Sequence, residues 1–208
     1  MRILVVGGSK GVGRHIVKQA LAAGHEVTLM ARRPRSEPPT GLDEVAIVAG
    51  DATEPQPIHD TVAGQDAVII AVGGGLSDRS TRSIVTANVL GGMTHHQVER
   101  IVIVSSIGAG DSLERVGWGT KLLTKTLLRN AIKDHNAQET SLQASDRKWT
   151  IVRPGALTDA VTGYRTVDTP ADALAAGERV GRAQVAEVVL ESLQRDDWIG
   201  RAVHVLGA

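Results

Sequence analysis

The first twenty residues, Met1-Arg-Ile-Leu-Val-Val-Gly-Gly-Ser-Lys-Gly-Val-Gly-Arg-His-Ile-Val-Lys-Gln-Ala, constrain the fold more than any other stretch. Arg2 to Val6 is a short apolar run of the kind that forms a buried parallel strand. A glycine-rich turn follows at once. From Val12 the apolar residues fall at Ile16, Val17, Ala20 and Leu21, one face of a helix of period 3.6. Strand, glycine turn and helix in that order open a nucleotide-binding βαβ unit. Gly7, Gly8, Gly11 and Gly13 allow a tight turn and let backbone N–H groups approach a pyrophosphate at the helix N-terminus, with Ser9, Lys10 and Val12 in the same cofactor-binding turn; Lys10 either meets a phosphate or projects into solvent. The spacing is Gly7-x3-Gly11-x-Gly13, not the G-x-G-x-x-G dinucleotide fingerprint. The alternative is a strand-to-helix turn with no ligand, for which four glycines weaken the chain without structural return.

The next strand pattern, His25 to Ala31, ends in Arg32 and Arg33. In such a unit this end faces the adenosine ribose. An acid there binds the 2′-hydroxyl, whereas arginine accommodates a 2′-phosphate by paired, charge-assisted hydrogen bonds. With arginine and no acid, NADP(H) is expected over NAD(H). The competing reading is a solvated basic turn, since Arg35 is also nearby.

Strand and helix patterns alternate from here on. Strands are expected over 44–49, 66–72, 100–105, 149–152 and 201–206, and helices over 55–63, 80–94, 117–144 (broken near Asn130) and 184–193. The alternation predicts an α/β fold, a doubly wound parallel sheet (Rossmann fold), in one domain over residues 1–208. Residues 33–40, with Pro34, Pro38 and Pro39, and residues 164–173 read as surface loops. Small substrate-side loops are expected near 76–81, 107–118 and 157–173. Phenylalanine is absent, and Trp118, Trp149, Trp198 and Tyr164 are the only aromatics, so the core is aliphatic. Trp118 either stacks on a flat ligand or plugs the core.

Ligands of such sheets lie outside the carboxyl ends of the strands. Besides the glycine turn and Arg32, those ends are Asp51-Ala52, Val72-Gly73-Gly74, Ser105-Ser106 and Pro154-Gly155. Asp51 would accept from an adenine amino group and Ala52 would offer its backbone. Gly73 and Gly74 would let a flat ring pass close to the chain. The Pro154-Gly155 turn would present backbone groups to a carboxamide. Each is also readable as a plain turn residue; their convergence on one edge is the argument.

Composition excludes other classes. Net charge is zero, with 23 basic and 23 acidic residues, so no nucleic acid is expected as partner. Without cysteine there is no disulfide or thiol chemistry, which suits a reducing cytoplasm. No apolar run reaches membrane-helix length, and no membrane partner is expected. His95 and His96 are adjacent and cannot share a helix face as i, i+4 ligands, and no H-E-x-x-H occurs, so no metal is expected. Ser105-Ser106 lacks a G-x-S-x-G elbow, which disfavours a hydrolase.

The glycine turn, Arg32, Gly50-Asp-Ala-Thr53, Val62-Ala-Gly-Gln-Asp-Ala-Val-Ile69, Arg100-Ile-Val-Ile-Val-Ser-Ser106 and Trp149-Thr-Ile-Val-Arg-Pro-Gly155 together resemble the atypical short-chain dehydrogenase/reductase family, NAD(P)H-binding and NmrA-like. The resemblance runs nearly end to end. Within that family it is most similar to the biliverdin-IXβ reductase/flavin reductase branch, to which Asp134-His135 and Glu139 add. It implies that Ser106 lies beside the nicotinamide, and that His135 stands where most members place the lysine of a Tyr-x3-Lys pair, with Ala131 at the tyrosine position. Ser106 and His135 are therefore the candidate catalytic residues. Ser106 reads equally as a turn cap and His135 as a half-exposed helix residue, while Asp134 and Glu139 read as solvent-facing, capping or paired residues.

Two functions follow as expectations. One is NADPH-dependent hydride transfer to a small flat conjugated acceptor: a flavin, a quinone or a tetrapyrrole. The other is an NADP(H)-binding redox sensor of NmrA-like type. A monomer or small homo-oligomer is expected for either.

Overall fold

The computed structural model describes residues 1–32, 45–73, 80–126, 128–161, 163–168 and 178–208. Six parallel neighbours form most of the sheet: β1 (Arg2–Val6), β2 (Glu26–Ala31), β3 (Ala46–Ala49), β4 (Ala67–Ile70), β5 (Arg100–Val104) and β6 (Lys148–Pro154). With β8 (Tyr164–Val167) and β10 (Arg201–Gly207), the eight strands are ordered β3-β2-β1-β4-β5-β6-β10-β8. The order reverses between β1 and β4, so the crossovers on either side leave a crevice at their carboxyl ends.

The strands are apolar on both faces because helices cover both. Successive residues point to opposite sides. Ile3 and Val5 of β1 and Ala67 and Ile69 of β4 pack in one layer with Ile16, Val17 and Ala20 of α1 (Gly11–Ala22) and Val185, Val188 and Val189 of α7 (Arg182–Ser192). Leu4, Val6, Val68 and Ile70 pack in the other with α2 (Pro55–Val62), α3 (Thr81–His96) and Leu142 of α6 (Arg129–Gln143). Each fully buried aliphatic side chain contributes roughly 1.5–3 kcal/mol. Two shorter helices, α4 (Ser112–Arg115) and α5 (Trp118–Thr126), lie between β5 and α6. The expected break in 117–144 therefore falls between α5 and α6, just before Asn130.

The segment between β6 and α7 departs from expectation. Tyr164–Val167 is not a loop: it pairs antiparallel with β10, His204 opposite Val167 and Gly207 opposite Tyr164. The sheet is thus mostly rather than wholly parallel. β7 (Ala156–Thr158) and β9 (Arg179–Gly181) add a separate two-stranded parallel ladder that the sequence did not announce. Trp118 does not plug the core, being 82% exposed. Among the described residues no helix is long and apolar enough to cross a membrane.

Arg100 fastens α7 to the sheet. Its guanidinium donates to the carbonyls of Ile101 (3.0 Å) and Lys148 (2.6 Å), to Thr150 Oγ1 (2.8 Å) and to the carbonyl of Ser192 at the end of α7. A cation suits the negative end of a helix dipole. Burial, opposed by the charge of Asp196, pulls the Arg100 pKa down to about 10, so it stays charged at neutral pH. Arg100→Ala would strand buried carbonyls, each costing about 1–3 kcal/mol. We expect a loss of roughly 3 kcal/mol in urea unfolding; a loss within about 0.5 kcal/mol, the range of ordinary surface changes, would remove the fastening role.

Candidate cofactor and substrate cleft

The glycine turn is built by close approach. Gly7 has φ +90°, and a Cβ there would lie 2.7 Å from the carbonyl oxygen of Ala71 and 2.9 Å from Val72 Cα. A Cβ at Gly13 would collide with the Gly7 carbonyl oxygen and lie 2.9 Å from Gly8 Cα. The start of α1 is thereby pressed onto the end of β1. Lys10 occupies the N-cap, no side chain caps this end, and the first turn holds no acid. The opening N–H groups of α1 are left for an anion.

A cleft of about 1190 Å³ lies over this turn. Its first wall is Gly7, Ser9, Lys10, Gly11 and Val12; Gly8 and Gly13 serve packing beneath it instead of lining it. Arg32, Asp51 and Ala52 form the next part, with Thr53. Asp51 Oδ1 accepts from the Thr53 N–H (2.9 Å) and hydroxyl (2.8 Å). These bonds, more than the nearby Arg32 charge, lower its pKa. The Ala52 carbonyl already accepts from Asn88 Nδ2 at 3.1 Å, leaving its N–H as the backbone group it can offer. Val72 and Gly73 follow, then Ser105, Ser106, His135, Pro154 and Gly155. Arg33 and Gly74 lie outside the described residues. The expected strand ends therefore converge on one cleft.

Sequence reasoning missed Arg82 and Arg182, which also line it. Each is a basic residue near a helix start, a pattern that solvated charges share. Arg182 pairs with Asp159 at 2.8 Å. Arg82 is buried and its Nε has no hydrogen-bond partner among the described residues.

Asp134 and Glu139 are buried rather than solvent-facing, at 3% and 2% exposure. Asp134 caps a different helix. Its Oδ2 accepts from the Arg82 N–H (3.0 Å) and guanidinium (3.3 Å), and its Oδ1 from the Ser83 N–H (3.0 Å) and hydroxyl (2.9 Å). Those are the second and third residues of α3, where capping carboxylates act. Burial opposes the Asp134 charge, but the four donors outweigh it and hold the pKa below the usual range.

Glu139 anchors a second network. Its carboxylate grips Arg153 through Nε (3.0 Å) and NH2 (2.7 Å) and accepts the Ser105 hydroxyl at 2.6 Å. Arg153 NH1 also reaches Asp111 (2.7 Å) and His204 Nε2 (3.3 Å). Burial works against the Arg153 cation, yet Glu139 and Asp111 hold its pKa above the ordinary value. Ser105 Oγ lies 3.3 Å from His135 Nδ1. Since Ser105 gives its proton to Glu139, the His135 Nδ1–H is the donor in that contact, which assigns the tautomer. This is no nucleophile arrangement, because the carboxylate holds the serine and not the imidazole. Ser106 donates to the Ile107 carbonyl at 3.1 Å.

His135 is not half-exposed, and at neutral pH it is an uncharged imidazole. Burial, reinforced by Arg82, pulls its pKa to about 4. Tyr164, the only tyrosine, stands on β8 and does not line the cleft.

His204 behaves like His135. Its Nδ1 donates to the Val167 carbonyl (3.0 Å), so its Nε2 accepts from Arg153, and burial lowers its pKa to about 4. Below the ordinary value of 6.5 the unfolded chain takes up a proton that the folded site refuses. Stability is therefore full above pH 6.5 and falls toward pH 4, by up to roughly 3 kcal/mol per histidine. Urea unfolding from pH 7.5 to 4.5 should show this slope, and His204→Gln should flatten part of it. An unchanged slope in that variant would refute the assignment.

Comparisons with known proteins agree with the geometry. The Escherichia coli O157:H7 structure described as the anaerobillin reductase ChuY matches with a TM-score of 0.82 at 21% identity, over 100% of this chain and 97% of that one. A short-chain dehydrogenase/reductase from Veillonella parvula, solved in complex with NADP, matches with a TM-score of 0.82 at 16% identity, over 98% and 93%. At these identities the likeness is one of fold. The photosystem II assembly factor Ycf39 of Synechocystis is 38% identical over 71 residues, 34% of this chain and only 22% of that protein's length. The family model described as NAD(P)H-binding matches residues 7–196. A chain matched over that span, with an uncapped helix over a glycine turn, belongs to the NAD(P)H-binding family.

Proposed function

We propose that this protein is an NADPH-dependent reductase that passes a hydride to a flat conjugated acceptor such as a flavin, a quinone or a tetrapyrrole. The observation that carries this reading is a cleft in which the described residues offer no acid titrating near neutrality. His135 is neutral, the Ser105 proton is committed to Glu139, and Tyr164 is elsewhere. An isolated ketone gains localised negative charge on accepting hydride and needs a proton donor beside it. A conjugated acceptor spreads that charge over its rings and takes its proton from solvent.

Bound NADPH would supply the hydride. The chain's part is binding and alignment. The bare N–H groups opening α1 would hold the diphosphate, with Lys10 beside them. Arg32 would take the 2′-phosphate and Asp51 and Ala52 the adenine edge. Val72 and Gly73 would flank the ring system. Pro154, Gly155 and Ser106 would orient the carboxamide end. His135, fixed by Ser105, would offer a neutral imidazole to the acceptor, and Arg82 would attract an acceptor carrying carboxylate or phosphate groups. The anaerobillin reductase and the NADP-bound structure among similar folds support this choice of acceptor class and cofactor. The cytoplasm is the proposed compartment.

The same lack of a titrating acid favours one other reading, an NADP(H) sensor that binds without turnover. Absorbance at the nicotinamide band, followed with NADPH or NADH and with FMN, menadione or biliverdin, separates them. Acceptor-dependent oxidation that prefers NADPH supports the reductase; tight binding without oxidation selects the sensor; no binding of either nucleotide overturns both. Arg32→Ala should weaken NADPH binding about tenfold or more, the worth of one strong charge-assisted contact, and leave NADH nearly unchanged. Equal losses for both nucleotides would remove the 2′-phosphate role.

A further inference from the structure

Three histidines meet outside the cleft lining. His95 and His96 are adjacent at the end of α3, and sequence alone gave them no common partner. The fold supplies one: His59 of α2 lies against both. The ring centroids are 4.4 Å apart for His59 and His95, 4.5 Å for His59 and His96, and 4.8 Å for His95 and His96. One ring nitrogen from each lies within 4.8 Å of the other two. The approach has a backbone cause. Gly92, one turn before His96, faces the His59 backbone, and a Cβ there would be 3.4 Å from His59 Cα.

A second observation points to a ligand. His96 Nε2 is shielded from solvent and has no hydrogen-bond partner among the described residues. Leaving such a nitrogen unpaired is costly, and native structures rarely do so without reason. Asp60 places a carboxylate oxygen 3.7 Å from His59 Nδ1, which adds negative charge beside the cluster. The end of a helix also favours a cation through its dipole.

We propose that His59, His95 and His96 form a binding site for a divalent late first-row transition metal ion, with Zn²⁺ as the best fit. Imidazole is a preferred ligand of this class, whereas Mg²⁺ and Ca²⁺ prefer oxygen. Three imidazoles with bonds of about 2.1 Å leave the fourth tetrahedral position to water or another ligand. Tetrahedral closure places ligand nitrogens ~3.4 Å apart, so the rings need to close by roughly an ångström. His95 is exposed and free to turn. The site is separate from the cleft, since none of the three histidines lines it. α3 runs from Thr81, in the cleft wall, to His96, a span of about 24 Å. A bound ion would pin the end of α3 to α2 and stabilise the folded chain.

The test is calorimetric titration of tag-free, chelator-stripped protein with Zn²⁺, together with the visible spectrum of the Co²⁺ form and the thermal midpoint with and without Zn²⁺. One Zn²⁺ per chain, a tetrahedral Co²⁺ spectrum and a raised midpoint reversed by chelator are expected. His95→Ala and His59→Gln should each weaken binding at least about tenfold, with far-UV circular dichroism unchanged. His95 is on the surface, so that variant keeps its fold even if His59→Gln does not. Absence of stoichiometric Zn²⁺ binding, or binding that survives His95→Ala at full affinity, would overturn the site. Neither result depends on nucleotide binding.

Discussion

Everything this fold offers to a nucleotide depends on one close approach, that of the first turn of α1 to the end of β1. A helix can present bare N–H groups to a diphosphate only if no side chain stands between. At Gly13 even a methyl group would strike the Gly7 carbonyl, and at Gly7 it would strike the backbone leaving β4. The turn thus fixes three things together: the entry of α1, the pairing of β1 with β4, and the switch in strand order from which the cleft opens. The helix that would hold the anion is itself held by apolar packing against α7 and the sheet.

The Ser105 side of the cleft rests on a different principle. Behind Ser105 runs an ionic line through buried Glu139 and Arg153 to buried His204 and exposed Asp111. Buried ion pairs are weak sources of stability, because desolvation offsets their attraction, yet removing one partner is severe. Here each polar atom named is satisfied by another, so the network sets position. It leaves the two neutral histidines without a charge to exchange. A site built this way suits an acceptor that asks little of the protein beyond placement.

The fold was legible in the sequence where local pattern and tertiary role coincide. Arg2 to Val6, the glycine turn and the helix from Val12 are each readable from periodicity, and the strand-end residues follow from the alternation. β8 was not readable. Its pairing with β10 spans 37 residues between Val167 and His204, and its flanks carry the Gly, Thr, Asp and Pro of ordinary loops. For Asp134 and Glu139 the capping and pairing alternatives held and the solvent-facing one did not: acids are almost never fully buried unless paired, and their partners, Arg82 and Arg153, lie on other elements. Arg82 and Arg182 gave no signal that separates a cleft cation from a solvated one. The histidine trio needed α2 and α3 laid side by side before it existed at all.

Asp134 and His135 are consecutive residues of one helix with unlike attachments. The first is bonded to the start of α3, and the second lies in the cleft wall against Ser105. Neither helix can slide without dragging the other. On the proposed reductase reading, any adjustment to the size of an acceptor would fall on residues outside that clamp, such as Leu157 in the cleft wall. Related chains could exchange one acceptor for another by rewriting such residues alone, while the clamp and the nucleotide half stay as they are.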